Sequence, residues 1–293
     1  YNIDFAEIKD RGFELPPRSV EMVVYVNVGD HELISTWFAS RSERCIWKAT
    51  VIEYSVEVAE ELELKHAVET GPSEPGMFMF DASPLLKDCL PLLLDLQRQA
   101  RQQPHEPGIL RALDLGSGSG RDAIILATAG FHTTGIDRDN RALERWLRLA
   151  QRQGCLDRCA AVTADLRRPG DLPRALLDLN VRSDAAITEK LPRFHVITIC
   201  RHLHRPLHEL ANLLLPGGLL LIHTFMEGNP RPTDKASVLA PGELVKAFSA
   251  GDGVASSLSS SSCCRLEVLR NEELPIDDGR VLSFFVARKP VVK

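Results

Sequence analysis

A glycine-rich turn between a buried apolar segment and a helix constrains this chain more than any other feature. It reads Arg111-Ala-Leu-Asp-Leu-Gly-Ser-Gly-Ser-Gly-Arg-Asp122. Glycine is needed where the backbone takes a positive φ, or where a ligand approaches too closely for a Cβ atom. The segment therefore predicts a strand, a tight turn and a following helix. The glycines of the turn are Gly116, Gly118 and Gly120.

The region around this turn alternates strand-like with helix-like segments. The predicted strands span residues 110–115, 132–137, 160–165, 195–200, 218–225, 265–271 and 280–288. The predicted helices span residues 85–99, 121–129, 141–153, 207–215 and 242–249, with an additional helix expected within 166–194 and a loop at the serine run 256–262. Strict alternation followed by a late pair of strands implies an α/β fold with a doubly wound sheet and an antiparallel edge hairpin.

The first 75 residues differ in charge from the rest of the chain. They carry a net charge of −8, whereas residues 76–293 carry +3. Turn and breaker residues at Thr70–Gly76 predict a domain boundary after residue 75. The predicted elements before it are strands at 21–28 and 45–54 and helices at 31–40 and 56–66. Because this segment is too short for an independent α/β domain, we interpret it as half of one.

Composition excludes several classes of protein. No stretch approaches the roughly 18 consecutive apolar residues of a membrane span, which excludes an integral membrane protein. A formal net charge of −5 argues against a nonspecific nucleic-acid binder. Seven cysteines without regular spacing argue against a disulfide framework, so we expect a reducing compartment, the cytoplasm or the mitochondrial matrix. Because the sequence begins at Tyr1 rather than Met, we also expect a processed or truncated form.

Three acidic residues close three successive predicted strands around the glycine turn. Asp114 precedes the glycines, where its carboxylate would hold the amine of an amino-acid group. Asp137 closes the next strand, where a carboxylate accepts both hydroxyls of a ribose. Asp165 closes the third strand and is placed to accept from an adenine amino group. Together they predict a pocket for an adenosine that carries an amino-acid tail.

A nicotinamide- or flavin-dependent oxidoreductase is an alternative, because such proteins use a similar glycine turn. In that fold the pyrophosphate lies on the helix N-terminus, where the Asp114 carboxylate would crowd it. Asp114 and the Gly-Ser-Gly-Ser-Gly spacing therefore favour the nucleoside with an amino-acid tail. Nucleotide binding that ignores a sulfonium would indicate the oxidoreductase instead.

Residues 77–293 resemble a class I S-adenosylmethionine-dependent methyltransferase on the evidence of this turn and the acids after it. The motifs of a closer resemblance, to tellurite- and thiopurine-type methyltransferases, are Arg201–Leu207, Leu215–Phe225 and Leu239–Val245. The resemblance implies a Rossmann-like seven-stranded methyltransferase sheet over residues 76–293, S-adenosyl-L-methionine as cofactor, and a small-molecule acceptor. The cofactor-binding residues expected from it are Asp114, Gly116, Ser117, Gly118, Gly120, Arg121, Asp137, Arg138, Asp165, Leu166 and Cys200.

The segment Glu14-Leu-Pro-Pro-Arg-Ser-Val20 and the strand after it resemble the second half of a rhodanese domain. In bacterial relatives such a domain precedes the methyltransferase half. A working rhodanese carries its sulfur on a cysteine in the loop after this strand. Here the loop reads Asn27-Val-Gly-Asp-His31, and without a cysteine nucleophile there is no persulfide chemistry. We therefore expect residues 1–75 to be a partial rhodanese-like segment that serves for packing or docking.

The acceptor side is expected on the loop after the fourth strand of the methyltransferase sheet, because that loop faces the methyl group in this fold. Methyl transfer is an in-line displacement, so the protein mainly holds the acceptor in line and excludes water. The candidates on this loop are Cys200, Arg201, His202 and His204. We assign the catalytic role to Arg201 and His204, with orientation of the loop as the alternative for His204. No carboxylate or cysteine completes a ligand set with the histidines, so we expect no metal.

A stripe of arginines lies on the predicted helix after Asp137. Its members are Arg141, Arg145, Arg148 and Arg152, which share one face at helical spacing. A solvated helix face is one interpretation. The other is a surface for RNA or an acidic partner, where arginine contacts phosphates without reading sequence. Trp146 on the same helix is expected in the core.

Two functions are therefore open. The leading hypothesis is an active methyltransferase that uses S-adenosylmethionine, with an RNA or protein acceptor as the alternative to a small molecule. The competing hypothesis is a catalytically lapsed methyltransferase fold that acts as a scaffold or assembly factor in a ribonucleoprotein particle, such as the mitochondrial ribosome. The missing rhodanese cysteine and the arginine stripe favour the scaffold. The intact glycine turn with Asp137 and Asp165 favours the enzyme.

Overall fold

A computed structural model describes residues 3, 5–18, 20–39, 47–55, 57, 58, 60, 78–101, 109–182, 191–249, 265–276 and 278–291. The chain divides into two compact units, Tyr1–Asp81 and Ala82–Lys293. The predicted boundary after residue 75, most of the predicted helix at 56–66, the segment 183–190 and the serine run lie outside the described residues.

The first unit contains a parallel strand–helix–strand arrangement. The short helix α1 (Ile8–Arg11) comes first in the chain. The strands β1 (Glu21–Val26) and β2 (Lys48–Glu53) follow and pair in parallel, and the helix α2 (His31–Ala39) lies between them in sequence. Six buried apolar residues of this unit form one cluster: Ile8, Leu15, Val26, Ile34, Phe38 and Trp47. β1 ends two residues earlier than predicted because the chain turns at Asn27, whose carbonyl accepts from the Asp30 N–H over 3.1 Å.

One mixed sheet of seven strands organises the second unit. Its strands are β3 (Arg111–Leu115), β4 (His132–Asp137), β5 (Cys159–Thr163), β6 (Phe194–Cys200), β7 (Leu214–His223), β8 (Glu267–Pro275) and β9 (Val281–Arg288). The strand order is β5-β4-β3-β6-β7-β9-β8, with β9 antiparallel to both neighbours and all other pairs parallel. This confirms the predicted α/β fold with a mostly parallel seven-stranded sheet and an antiparallel edge.

Helices cover both faces of this sheet. They are α3 (Pro84–Arg101), α4 (Arg121–Thr128), α5 (Asn140–Arg152), α6 (Asp171–Arg182), α7 (His208–Leu213) and α8 (Glu243–Ser249). Two apolar clusters therefore lie on opposite faces of the sheet, and successive residues of β6 point into different ones. Val196 belongs to the cluster that includes α3, and Ile197 belongs to the cluster that includes α6, α7 and α8. The inserted helix expected within 166–194 is α6. Within the described part of the chain, no helix has the length and apolarity to span a membrane.

Several strand ends differ from the predictions, and the differences in β5, β7 and β8 have physical reasons. β8 continues to Pro275, four residues beyond its predicted end, because its last residues pair with β9. β5 stops at Thr163 rather than 165, because Asp165 begins a turn in which its carbonyl accepts from the Arg168 N–H over 2.9 Å. β7 begins at Leu214, four residues before the predicted start, since Leu214 already pairs with Phe194. The Pro-Gly-Gly sequence reads as a breaker but lies inside this strand. Position 218 requires glycine, because the Cβ of any other residue would lie 2.8 Å from the Leu215 carbonyl oxygen, which is too close.

Candidate active site

The strand order reverses between β3 and β6, and this switch point creates a crevice at the carboxyl edge of the sheet. From β3 the chain continues through β4 and β5 in one direction, whereas β6 and β7 extend in the other. The register brings the ends together: Leu115 pairs with Ile136 and with Ile199, and Asp137 pairs with Thr163. The glycine turn leaves the sheet at this point.

The glycine turn is held by the neighbouring strand. The N–H groups of Gly116 and Ser117 both donate to the Ile136 carbonyl, over 2.8 and 3.2 Å. The Gly118 N–H donates to Asp137 Oδ2 over 2.8 Å, and the Asp139 N–H donates to Asp137 Oδ1 over 2.9 Å. The carboxylate that sequence analysis assigns to a ribose is therefore fixed against the turn, where it is half-buried.

Trp146 explains why two glycines stand where they do. Its indole is completely buried, as predicted. A Cβ on Gly120 would lie 2.2 Å from the indole, and a Cβ on Gly135 of β4 would lie 2.5 Å from its other ring. The backbone at Gly120 also has φ +73°, which side chains rarely adopt. Gly118 differs, because no atom lies within 4 Å of the position that its Cβ would take. Only Gly118 of these three positions borders open space.

Asp114 lies at the end of β3, almost completely buried with 3% of its surface exposed. Its Oδ1 accepts from the Thr198 hydroxyl over 3.0 Å. Burial, and then the nearby carboxyl of Asp122, raise the pKa of Asp114 to about 8. Among the described residues, the hydrogen-bond donor to this carboxyl is the neutral Thr198 hydroxyl, and the contact with an amine stays a prediction.

Asp122 is a second buried carboxyl that sequence analysis missed. It lies in the first turn of α4, is 7% exposed, and its Oδ1 accepts from the Ser83 N–H over 2.7 Å. Burial raises the pKa of Asp122 as well. This contact attaches the start of α3 to the helix that follows the glycine turn. The partners are 39 residues apart, so no local motif could reveal the pair.

Asp165 has the opposite surroundings. Arg167 binds its carboxylate through two hydrogen bonds, from Nε over 2.9 Å and from Nη2 over 2.8 Å. These bonds hold the pKa of Asp165 well below its usual range. The residue lies two positions after the end of β5 rather than closing the strand as predicted, and its charge is compensated by Arg167. The adenine contact stays a prediction.

The loop after β6 begins with a strained residue. Arg201 has φ +53°, the single positive φ among the described non-glycine residues, and its N–H donates to the His223 carbonyl over 2.8 Å. Sparsely populated backbone conformations of this kind cluster at functional sites. Its side chain is exposed at the carboxyl edge. The preceding Cys200 is half-buried, and desolvation raises the pKa of its thiol.

The two histidines of this loop have different contacts. His204 is 3% exposed and its Nε2 lies 3.1 Å from Glu209 Oε2, which fits the predicted alternative of orienting the loop. His202 packs against the glycine turn so closely that a Cβ on Gly116 would lie 2.6 Å from it. The His202 Nε2 is buried, and it has no hydrogen-bond partner among the described residues. Burial lowers the pKa of His202 and keeps the imidazole neutral at pH 7.

Arg205 connects this loop to the segment before α8. Its guanidinium forms an ion pair with Glu243, and its Nη2 also donates to the Val238 carbonyl over 3.2 Å. Glu243 in turn accepts from the Ala240 N–H over 3.0 Å. The loops after β6 and β7 are therefore joined above the carboxyl edge.

The remaining predicted residues lie in several places. Leu166 is buried in the apolar core. The Ser117 Oγ is buried, and it has no partner among the described atoms. Arg121 begins α4, and the exposed Arg138 lines a cavity of about 1170 Å³ that opens along β5 and α6.

Of the arginine stripe, Arg141, Arg148 and Arg152 are exposed. Arg145 is half-buried, and its Nε donates to the Ser119 Oγ of the glycine turn over 3.1 Å. No group of three or more metal-binding side chains converges within the described ranges.

A doubly wound sheet with a glycine turn and carboxylates at its switch point defines a nucleotide-binding α/β domain. Residues 81–252 match the model of a family described as a methyltransferase domain, and the chain belongs to this family. S-adenosyl-L-methionine is the expected cofactor.

Three further comparisons place the chain among known proteins. An uncharacterized protein of Schizosaccharomyces pombe, UNK4.09, is 26% identical over 323 aligned positions, which cover 98% of this chain and 87% of that protein. TehB from Haemophilus influenzae is similar in structure, with 17% identity, a TM-score of 0.41 and coverage of 67% of this chain and 61% of TehB. An S-adenosylmethionine-dependent methyltransferase from Methanosarcina mazei has 18% identity, a TM-score of 0.40 and coverage of 62% and 93%.

Proposed function

We propose that this chain is an active methyltransferase that transfers the methyl group of S-adenosylmethionine to a small-molecule acceptor. The observation that carries the proposal is the Asp137 carboxylate, fixed by the Gly118 N–H beside open space at the switch point. A catalytically lapsed scaffold has no physical need for a carboxylate and a glycine in that arrangement.

The chain's own residues have distinct roles in this proposal. Asp114 binds the amino group of the cofactor. Asp137 accepts hydrogen bonds from the ribose hydroxyls, and Asp165 accepts one from the adenine amino group. The cofactor supplies a methyl group on a sulfonium together with a neutral thioether leaving group. The protein therefore orients the two reactants and excludes water, and it moves a proton only if the acceptor must lose one.

For the acceptor side we propose Arg201 and His202 as the groups that face the reactants. The strained Arg201 starts the loop, and the neutral His202 has a ring nitrogen without a protein partner. His204, with its contact to Glu209, is a positioning residue in this proposal, as is Arg205. A protic acceptor, such as an amine or a hydroxyl, fits a neutral imidazole that is able to take its proton.

Calorimetric titration with S-adenosylmethionine and S-adenosylhomocysteine tests the proposed function. We expect micromolar binding to the wild-type chain and a loss of affinity of about 10–100-fold in Asp137→Ala, because a charged hydrogen-bond acceptor is removed. Asp95→Ala is the matched control, since Asp95 pairs with Arg98 on the exposed surface of α3. Absence of binding by a folded wild-type chain would contradict the proposal and favour the scaffold.

The exposed arginines of α5 favour a second candidate function, binding to RNA in a ribonucleoprotein particle. Arg141 and Arg148 lie seven residues apart on one exposed helix face. The test is a gel-shift titration with single-stranded RNA at two salt concentrations, comparing wild type with Arg141→Gln/Arg148→Gln. Salt-dependent binding that is weakened in the double variant would support it.

We also propose that residues 1–75 are a rhodanese-like segment without sulfurtransferase activity. The parallel pairing of β1 with β2 and a cysteine-free loop at Asn27–His31 support this proposal. A thiosulfate–cyanide sulfur-transfer assay is expected to show no activity, and turnover in this assay would contradict the proposal.

A further inference from the structure

Two buried carboxyls act on each other electrostatically: Asp114 near the end of β3 and Asp122 in the first turn of α4. Asp114 is 3% exposed and Asp122 is 7% exposed. The donor to Asp114 is the Thr198 hydroxyl, and the donor to Asp122 is the Ser83 N–H. Both donors are neutral. Within the described parts of the chain, no lysine, arginine or histidine forms an ion pair with either carboxyl.

The charged groups around this Asp114–Asp122 pair do not replace the missing cation. From β4, Asp137 adds a further negative charge near Asp114. From α4 and the loop after β6, the charges of Arg121 and Arg201 lower the pKa of Asp122, but burial outweighs them and raises it. The half-buried Cys200 thiol on β6 stays neutral because desolvation raises its pKa. From β7, His223 lines the same small cavity as Asp122, and burial lowers the pKa of its imidazole. Two adjacent carboxylates in a desolvated site do not both ionise without a partner, so the pair holds a proton.

An ammonium group that reaches this pair changes its protonation. Burial raises the pKa of Asp114 to about 8, so Asp114 is protonated at pH 6.5. An opposite charge within hydrogen-bond distance favours the ionised form of a carboxyl and lowers its pKa. The carboxylic acid then loses its proton to the buffer, and a carboxylate–ammonium pair remains.

We propose that the Asp114–Asp122 pair makes cofactor binding proton-coupled: one proton leaves the pair when the amino group of the cofactor binds beside Asp114. The inference rests on the proposed function, since it assumes a cofactor with an amino-acid tail. It has two consequences that binding alone does not have. The affinity for an amine-bearing ligand rises with pH, up to about tenfold per pH unit, and an otherwise similar ligand without the amine shows no such rise.

The experiment is calorimetry of S-adenosylhomocysteine in phosphate and in imidazole buffer at pH 6.5. An α-amino group with its ordinary pKa near 8 stays protonated at this pH, so the ligand itself contributes no proton. The dependence of the observed enthalpy on the ionisation enthalpy of the buffer gives the number of protons released. We expect about one proton for S-adenosylhomocysteine and none for 5′-methylthioadenosine, which lacks the amino-acid tail.

Two isosteric variants assign the proton. Asp114→Asn retains an oxygen that accepts from Thr198, and it is expected to reduce the number of released protons to near zero. Asp122→Asn retains an acceptor for Ser83 and removes a neighbouring charge, so a smaller reduction is expected. Asp95→Asn, an exposed acid on α3, is the control and should release the same number as the wild type.

Each outcome decides one point. Release of about one proton that is lost in Asp114→Asn supports the inference. Binding of S-adenosylhomocysteine without proton release, or release that persists in both Asp114→Asn and Asp122→Asn, overturns the inference and leaves the proposed function intact. No binding of S-adenosylmethionine or S-adenosylhomocysteine between pH 6 and 9 overturns the proposed function, and the inference fails with it.

Discussion

Two strand ends at the carboxyl edge of the sheet contain the same type of side chain in opposite electrostatic states. At the end of β3, Asp114 is buried, accepts from a neutral hydroxyl, and has a pKa raised to about 8 by that burial. Beside β5, Asp165 is bound by both arms of Arg167, which hold its pKa low. Among the described residues, Asp114 has a neutral hydroxyl as its partner, whereas Asp165 has the guanidinium of Arg167.

In the proposed function, this difference suits the strand-end carboxyls to separate parts of one ligand. A site for an ammonium group gains from a carboxyl without a partner, because the incoming charge is then the first that it meets. A site for an uncharged amino group on a base requires only an acceptor, so an internal ion pair is compatible with it. Asp137 stands between these extremes, with backbone N–H groups as its partners.

We expect the largest loss of stability from a substitution in the glycine turn, which follows β3. In Gly120→Ala, a Cβ would lie 2.2 Å from Trp146 at a residue with φ +73°. Backbone strain and overpacking together predict a loss of about 2–5 kcal/mol in the free energy of unfolding, measured by urea denaturation. Gly118→Ala is the control, because its Cβ enters open space and only strain remains. Equal losses in the two variants would refute the role of Trp146.

We expect a smaller effect on the free energy of unfolding from Asp114, and this effect should depend on pH. The folded-state pKa of Asp114, about 8, exceeds the ordinary unfolded value near 4, so the folded chain binds more protons between these values. The contribution of Asp114 to stability therefore falls as pH rises from 4 to 8. Asp114→Asn lacks this fall and should exceed wild-type stability by about 1–3 kcal/mol at pH 8.5, but not at pH 5.

Urea denaturation at pH 5, 6.5 and 8.5 measures this difference. Asp95→Asn serves again as the exposed control, and its stability is expected to follow the pH profile of the wild type because it retains Asp114. A stability difference between Asp114→Asn and wild type that stays constant with pH would contradict the raised pKa.

The smallest effect concerns Asp165. Arg167→Ala removes the two side-chain hydrogen bonds to Asp165. The weaker contacts remain: the N–H of residue 167 lies 3.3 Å from Oδ1, and Arg168 Nε lies 3.8 Å from Oδ2. We expect the affinity for S-adenosylhomocysteine to rise by about 2–5-fold and the free energy of unfolding to change little, because exposed ion pairs contribute little to stability. A weaker affinity in this variant would show that Arg167 itself contacts the ligand.

The sequence was sufficient where the fold depends on local pattern. The bounds of β4 agree with the prediction, because a short segment rich in β-branched residues ends there in a carboxyl at a turn. The contact between Asp122 and Ser83 could not be predicted, since it depends on how α3 packs against α4. The same holds for His202 and His204, which share a motif and differ only in their tertiary surroundings.

The start of β7 shows a second limit. A Pro-Gly-Gly sequence ordinarily ends an element, and here it continues a strand because Leu214 finds a partner in β6 and the Lys289 N–H donates to the Gly218 carbonyl over 2.9 Å. Pairing between distant strands overrides local propensity in this segment.

The burial of Trp146 against the glycine turn also has an optical consequence. It is the single tryptophan of residues 82–293, whereas Trp37 and Trp47 both belong to the first unit. An indole without contact to water emits at short wavelength, and its emission responds to small shifts of the atoms packed on it. In a chain with Trp37→Phe and Trp47→Phe, the fluorescence of the second unit arises from the ring that supports the turn. The molecule therefore contains its own spectroscopic probe at the point where a ligand is expected to arrive.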